Sequence, residues 1–179
     1  RSDFGRSYPL VINGQSVTTE EWFESRNPSR PSEIVGKVAS ATIADVDRAA
    51  ATARKAFAPW RSTTARERAD ILRKTADRLE MRRFELAATM ILEVGKPWRE
   101  ADADVTEAID HCRYYAEQIE RIESRPRLRN IPGEDNMLTY SPKGVCAVIS
   151  PWAFPLAILT GMTSAAMAAG DTVVMKPAR

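Results

Sequence analysis

The chain has a single histidine, only two cysteines, and no G-x-G-x-x-G or G-x-x-x-x-G-K run. One imidazole, His111, cannot build a multi-histidine metal site, and no spaced cysteines join it. Flanked by Asp110 on a helical pattern, it reads as an edge residue of that helix rather than a general base. Cys112 and Cys146 lie far apart, each inside an apolar pattern, which suits reduced core thiols better than a disulfide framework. Such thiols favour a reducing, cytoplasmic compartment. Without the glycine motifs there is no standard phosphate-cradling loop, so any nucleotide must be gripped in another way. Charge of one sign is lacking too: 26 basic against 24 acidic residues leave a formal net charge of +2, too little to mark a nucleic-acid surface. The longest mainly apolar stretch, 153–170, is short for a membrane span, rich in Ala, Gly and Thr, and carries Pro155 near its start. It reads as a buried core helix. The first ten residues hold no continuous apolar core of the kind a signal peptide needs.

What the chain does have is concentrated in its last third. Val145 to Ile149 is a short apolar run, Ser150 to Pro155 a proline-bracketed turn, and the Ala-rich stretch to Gly170 a helix. Thr172 to Met175 is a second apolar run, so the order is strand, helix, strand. Neither run alternates with polar residues, as expected for strands of a parallel sheet covered on both faces. Ligands of such sheets bind beyond the carboxyl ends of the strands. Ser150 to Phe154 and Lys176 with Pro177 are therefore expected side by side at one mouth. Lys176, directly after a buried run, is either a solvated strand end or a ligand contact.

Upstream, Tyr8 to Ile12 and Gln15 to Val17 flank Asn13-Gly14, a strong hairpin signal. Residues 24–31 hold two prolines and read as an irregular connection, with a further strand over 33–38. Thr42 with Asp45 opens a helix that Pro59 ends, with Val46, Ala49, Ala50, Ala53 and Phe57 on one face. Thr64 and Glu67 cap the next, whose inward face is Ile71, Leu72, Thr75, Ala76 and Leu79. A third runs over 83–94 with Phe84, Ala87, Ala88, Ile91 and Val94 inward, closed by Gly95. A long fourth starts at Pro97-Trp98 and buries Ala101, Val105, Ala108, Cys112, Tyr115, Ile119 and Ile122. Glu100, Asp104, Glu107 and Glu117 take its other faces. Residues 137–141 are a candidate strand before the Pro142-Lys143-Gly144 turn. The fold class is α/β: an N-terminal helical layer, then the first βαβ unit of a Rossmann-like domain, incomplete over these residues. The expected division is 1–123, hairpin and helical part; 124–143, a connection with a candidate strand; and 144–179, the βαβ unit.

Ile149-Ser150-Pro151-Trp152-Ala153-Phe154-Pro155, then Ala169-Gly170-Asp171-Thr172-Val173-Val174 and Lys176-Pro177-Ala178, resemble the NAD(P)-dependent aldehyde dehydrogenase superfamily, whose pattern is P-W-N-F-P, A-G-N-T-V-V and K-P-A. Ile12-Asn13-Gly14, Phe57-Ala58-Pro59-Trp60-Arg61 and Glu93-Val94-Gly95-Lys96-Pro97 extend the likeness over essentially the whole chain. The run from Glu100 to Asp110, with Tyr114-Tyr115-Ala116, looks most like bacterial 1-pyrroline-5-carboxylate dehydrogenases, which oxidise glutamate semialdehyde to glutamate in proline breakdown. The resemblance implies NAD as cofactor, with NADP left open. Ile149, Ser150, Pro151 and Trp152 would line its nicotinamide side, and Lys176 would hydrogen-bond the adenosine ribose. Phe154 would wall the aldehyde's aliphatic part. The implied partners are a small aldehyde, the rest of the subunit, and further copies in a homo-oligomer, for which the candidate strand over 137–141 would be an oligomerisation strand, with neither nucleic acid nor membrane span.

Two departures bear on the chemistry. Neither Cys112 nor Cys146 matches the family's nucleophile, which lies downstream of K-P-A with the general-base glutamate, so these residues contain no catalytic residue of that kind and are expected to be inactive alone. Ala153 stands where the family has an asparagine whose amide steadies the oxyanion, and losing such a donor typically costs about 3 kcal/mol. A non-catalytic relative kept for binding or assembly is a second reading, and a dehydrogenase of another aldehyde a third.

Overall fold

The computed structural model describes residues 4–124 and 131–178. The amino-terminal strands are β1 (Arg6–Tyr8), β2 (Leu10–Ile12), β3 (Gln15–Val17), β4 (Trp22–Arg26) and β5 (Ile34–Ala39). Asn13 and Gly14 both take positive φ, 55° and 72°, and turn β2 back onto β3 with Leu10 opposite Val17. This is the backbone that Asn-Gly favours in a two-residue hairpin. β5 is the central strand of the order β1-β5-β4, parallel to β1 and antiparallel to β4. Part of 24–31 is thus strand rather than irregular. Its polar residues belong to an edge, where Glu24 lies opposite Lys37 and pairs with it at 3.4 Å.

Four helices follow: α1 (Ile43–Arg61), α2 (Ala65–Met81), α3 (Arg83–Val94) and α4 (Trp98–Glu123). Reciprocal capping boxes open the first two, Thr42 with Asp45 and Thr64 with Glu67. Pro59 does not end α1. It sits inside the last turn, where its missing N–H forfeits a single bond and the helix runs on to Arg61. Gly95, at φ 76°, closes α3 by donating to the Ile91 carbonyl.

The inward faces depart from the periodicity in places. Val46, Ile71 and Phe84 are exposed, and Phe84 instead stacks on Trp98 at 6.2 Å. α2 buries Ala65, Arg68, Ala69, Leu72 and Ala76. α4 buries Asp104, Ile109 and Ala116 besides the expected Ala101, Val105, Ala108, Cys112 and Ile119, while Ile122 is exposed. One core cluster joins Ala76, Ala87, Met90, Ala101, Val105, Ile109 and Cys112, with Leu156 packed against it. A second joins Ala65, Ala69, Leu72, Ala116, Ile119 and Ala168. So many alanines bring the helix backbones close, and burial of the larger side chains between them supplies the stabilisation.

The last third is β6 (Val145–Ile149), α5 (Ala157–Ala169) and β7 (Thr172–Lys176), with β6 and β7 parallel and Val145 opposite Thr172. This is the anticipated βαβ order, but its strands are not covered on both faces: Val148 of β6 is buried while Val145, Ala147 and Ile149 on the other face are exposed among the described residues. Among the described residues, 137–141 form no strand. Residues 125–130 of the connection lie outside the described residues.

Candidate functional site

The carboxyl ends of β6 and β7 meet in register, Ile149 opposite Lys176, and the Ser150 N–H reaches the Lys176 carbonyl at 3.4 Å. Ser150 and Lys176, anticipated at one mouth, are therefore brought together. Ile149 is 64% exposed and Trp152 56%, although both are apolar, and Pro151, Ala153 and Lys176 are also exposed. Beside them Ser150 is only 6% exposed, and its Oγ is buried without a hydrogen-bond partner among the described residues. A buried hydroxyl of that kind is costly to leave unpaired and marks a place where a ligand or water can bond.

The mouth is held from behind by residues that the periodicity assigned elsewhere. Asp104, placed by that reading on an outer face of α4, is 2% exposed. Its Oδ1 accepts from the Ala157 N–H, the first of α5, at 2.7 Å, and its Oδ2 accepts from the Lys96 Nζ. The same Lys96 ammonium stands 4.5 Å from the centroid of the Phe154 ring. At the other end of α5, the buried Arg68 donates from Nε to the Ala168 carbonyl at 2.8 Å and pairs with Glu123. A carboxylate at the amino end and a guanidinium at the carboxyl end both match the helix dipole. The signal for Asp104 was in the sequence: it lies three residues after Ala101 and four before Ala108, on the buried stripe itself.

At the opposite end of the strands, Asp171 is buried and its Oδ1 accepts from the Gly144 N–H at 2.7 Å. Its carboxylate thereby ties the starts of β6 and β7 together. Thr172 donates to the Ala53 carbonyl at 2.9 Å, docking β7 against α1.

The thiols are not set up for attack. Cys112 is buried, and desolvation pushes its pKa up to about 11. Cys146 is also raised, by burial first and then by the neighbouring Asp171 carboxylate. Neither is near the thiolate state that nucleophilic catalysis needs. His111 stacks on Tyr115 at 6.0 Å and lies against Gly161. Among the described residues no group of three or more His, Cys, Asp or Glu could hold a metal ion, and no helix is long and apolar enough to cross a membrane.

Residues 15–179 match the Aldehyde dehydrogenase family, and the chain belongs to it. Among individual relatives, it is 46% identical over 177 residues to 1-pyrroline-5-carboxylate dehydrogenase of Geobacillus kaustophilus, covering 99% of this chain and 34% of that protein. Among solved structures, 1-pyrroline-5-carboxylate dehydrogenase from Thermus with bound NAD superposes with a TM-score of 0.94 at 46% identity, over 99% of this chain and 34% of that one. Proline utilization A from Bdellovibrio bacteriovorus gives 0.96 at 44% identity, over 99% of this chain and 19% of that one. The chain thus spans about a third of the length of the 1-pyrroline-5-carboxylate dehydrogenases it matches.

Proposed function

We propose that the chain is the amino-terminal part of an NAD-dependent enzyme that oxidises glutamate 5-semialdehyde, the open form of 1-pyrroline-5-carboxylate, to glutamate. The observation that carries this is the identity of 42–46% to 1-pyrroline-5-carboxylate dehydrogenases across nearly the whole chain. The mouth fits the nicotinamide end of a dinucleotide, because the orphaned Ser150 hydroxyl lies among exposed apolar surface at Ile149 and Trp152. Those residues and Pro151 would hold the ring, and Lys176 would hold the ribose at the adenosine end. The bound cofactor supplies the hydride acceptor. Phe154 presents an aromatic face to the aliphatic part of the aldehyde, and the turn it sits on fixes the distance between that wall and the cofactor side. The nucleophile belongs to residues outside these 179, since Cys112 and Cys146 are both held as neutral thiols. These residues alone are inactive on this reading. The division at 123 and 143, a cytoplasmic location, and a homo-oligomer to which 137–141 adds an intersubunit strand belong to the same proposal.

The full-length protein given NAD and 1-pyrroline-5-carboxylate should form NADH. Absence of NADH formation with this substrate, alongside turnover of another aldehyde, would replace the substrate and keep the class. A specific observation favours one other reading: Ala153 occupies the place of the oxyanion asparagine, as in a relative kept for binding or assembly without turnover. Tight NAD binding without turnover of any aldehyde would decide for that reading.

A further inference from the structure

The turn from Ser150 to Leu156 carries the mouth, and its packing lies at its two ends, where Ser150 is buried and Leu156 sits against the core. Trp152 and Phe154 are both about half exposed, and α5 begins at Ala157 with no side-chain cap from its own segment. The first amides of a helix have no partner within it, so an uncapped start leaves the preceding turn free to fray. Here the partner comes from 53 residues away, as Asp104 Oδ1 takes the Ala157 N–H. The carboxylate is almost wholly out of water, and its charge is met by the Lys96 ammonium, whose side chain is 13% exposed. Lys96 in turn stands over the Phe154 ring, a geometry in which a cation and a ring face attract. Two adjoining points of the turn, its exit into α5 and its aromatic wall, thus hang on one buried ion pair.

From this geometry we infer that Asp104, acting through Lys96, is a positioning residue that fixes the Phe154 wall and the start of α5 relative to each other, and so sets the fit of the aldehyde. The link to the aldehyde rests on the function proposed above; the mechanical role does not. Asp104 touches no reacting atom. Its effect reaches the site along two separable arms, one through the Ala157 amide and one through the Lys96 ammonium. Removing the carboxylate also strands a buried ammonium, which would swing toward water and leave the ring.

The test uses the full-length protein, with Asp104→Ala, Asp104→Asn and Lys96→Met read by local amide hydrogen exchange and by steady-state kinetics. In Asp104→Ala, exchange over 156–161 should speed up about tenfold or more, with the distant amides of α2 unchanged. Asp104→Asn keeps an acceptor for the Ala157 amide and should restore that protection, while Lys96→Met should never lose it. Both Asp104→Ala and Lys96→Met should raise KM for the aldehyde about tenfold with kcat within about threefold, because the wall binds the substrate before and during reaction alike. Unchanged exchange over 156–161 in Asp104→Ala, or a rise spread evenly through α2 and α4, overturns the positioning role. If Asp104→Ala does not fold, the Asn and Met variants carry the same decision: an Asn variant as loose as a melted turn, or a Met variant with unaltered KM, defeats it. A parent protein that oxidises no aldehyde defeats the proposed function instead, and the exchange measurements still decide the mechanical claim.

Discussion

His111 occupies the space that a side chain at Gly161 would need: a Cβ built there would stand 2.8 Å from the ring Cδ2 and 3.0 Å from Nε2. The ring is itself backed by Tyr115, stacked at 6.0 Å, and its Nε2 is 3.6 Å from Glu107 Oε1. The lone histidine therefore packs where α4 meets α5, against a position that has no room for a side chain.

Gly161→Ala is expected to push the two helices apart or drive His111 off its stack, destabilising the fold by about 1–3 kcal/mol. The loss should be partly recovered when His111→Ala is added, because the clash then has no second party. Urea unfolding of the full-length single and double variants measures both. Additive losses in the double variant would show that the clash is absorbed elsewhere.

The capping boxes give a pH dependence with a definite sign. Backbone and side-chain hydrogen bonds from Thr42 hold Asp45 below its ordinary pKa, and those from Thr64 do the same for Glu67. A carboxylate depressed in the folded state contributes stability that is present above its unfolded pKa, about 4, and is lost as pH falls through the lower folded value. The starts of α1 and α2 should therefore fray first as pH falls below about 4, seen as faster exchange at 43–46 and 65–68. Thr64→Ala should cost about 1 kcal/mol at neutral pH and flatten the acid response of α2 alone.

The thiols give the opposite sign. Cys112 titrates at about 11 because burial disfavours its thiolate, and Cys146 is raised for the same first reason. Groups held neutral by the fold stabilise it below their unfolded pKa, about 8.5, and that contribution is lost as pH rises through the folded values. At pH 7.5 alkylation of Cys112 by iodoacetamide should be slower than in the unfolded chain by roughly a hundredfold or more. Cys146→Ala should leave the turnover of the full-length enzyme unchanged within about twofold, since that thiol attacks nothing. Loss of turnover in this variant would contradict the placement of the nucleophile elsewhere.

The parts of the fold legible from the sequence are those where local chemistry and tertiary structure agree. Asn13-Gly14, the two capping boxes and Gly95 each specify their turn or helix end without help from distant residues. The βαβ unit was legible because its strands are apolar on both faces, which few other elements tolerate. Trp22 to Arg26 was missed because an edge strand with polar residues looks like a loop until its neighbour is known. Asp104 was assigned to solvent on its charge alone, although its spacing put it on the buried stripe. Its partners, Lys96 and the Ala157 amide, come together only in three dimensions. The mouth follows from the apolar strands and their carboxyl ends, where Ile149 and Lys176 stand in register, whereas the support behind it carries no motif.

Ala153 offers the most direct test of chemistry at the mouth. It is exposed in the turn between Pro151 and Pro155, so among the described residues an asparagine side chain there displaces no buried neighbour. If the turn faces the aldehyde oxygen as the family pattern implies, Ala153→Asn adds a donor where negative charge develops in the transition state. Such a donor typically contributes about 3 kcal/mol, equivalent to a gain of roughly a hundredfold or more in kcat. KM should move little, because the charge is absent from the ground state. The comparison requires the full-length protein, with NADH formation followed for parent and variant under the same conditions. An active parent with unchanged kcat in the variant means that another donor already fills this role. Inactivity of both proteins, with NAD still bound, removes the dehydrogenase reading and leaves the chain as part of a family member that kept the fold and its cofactor mouth without turnover.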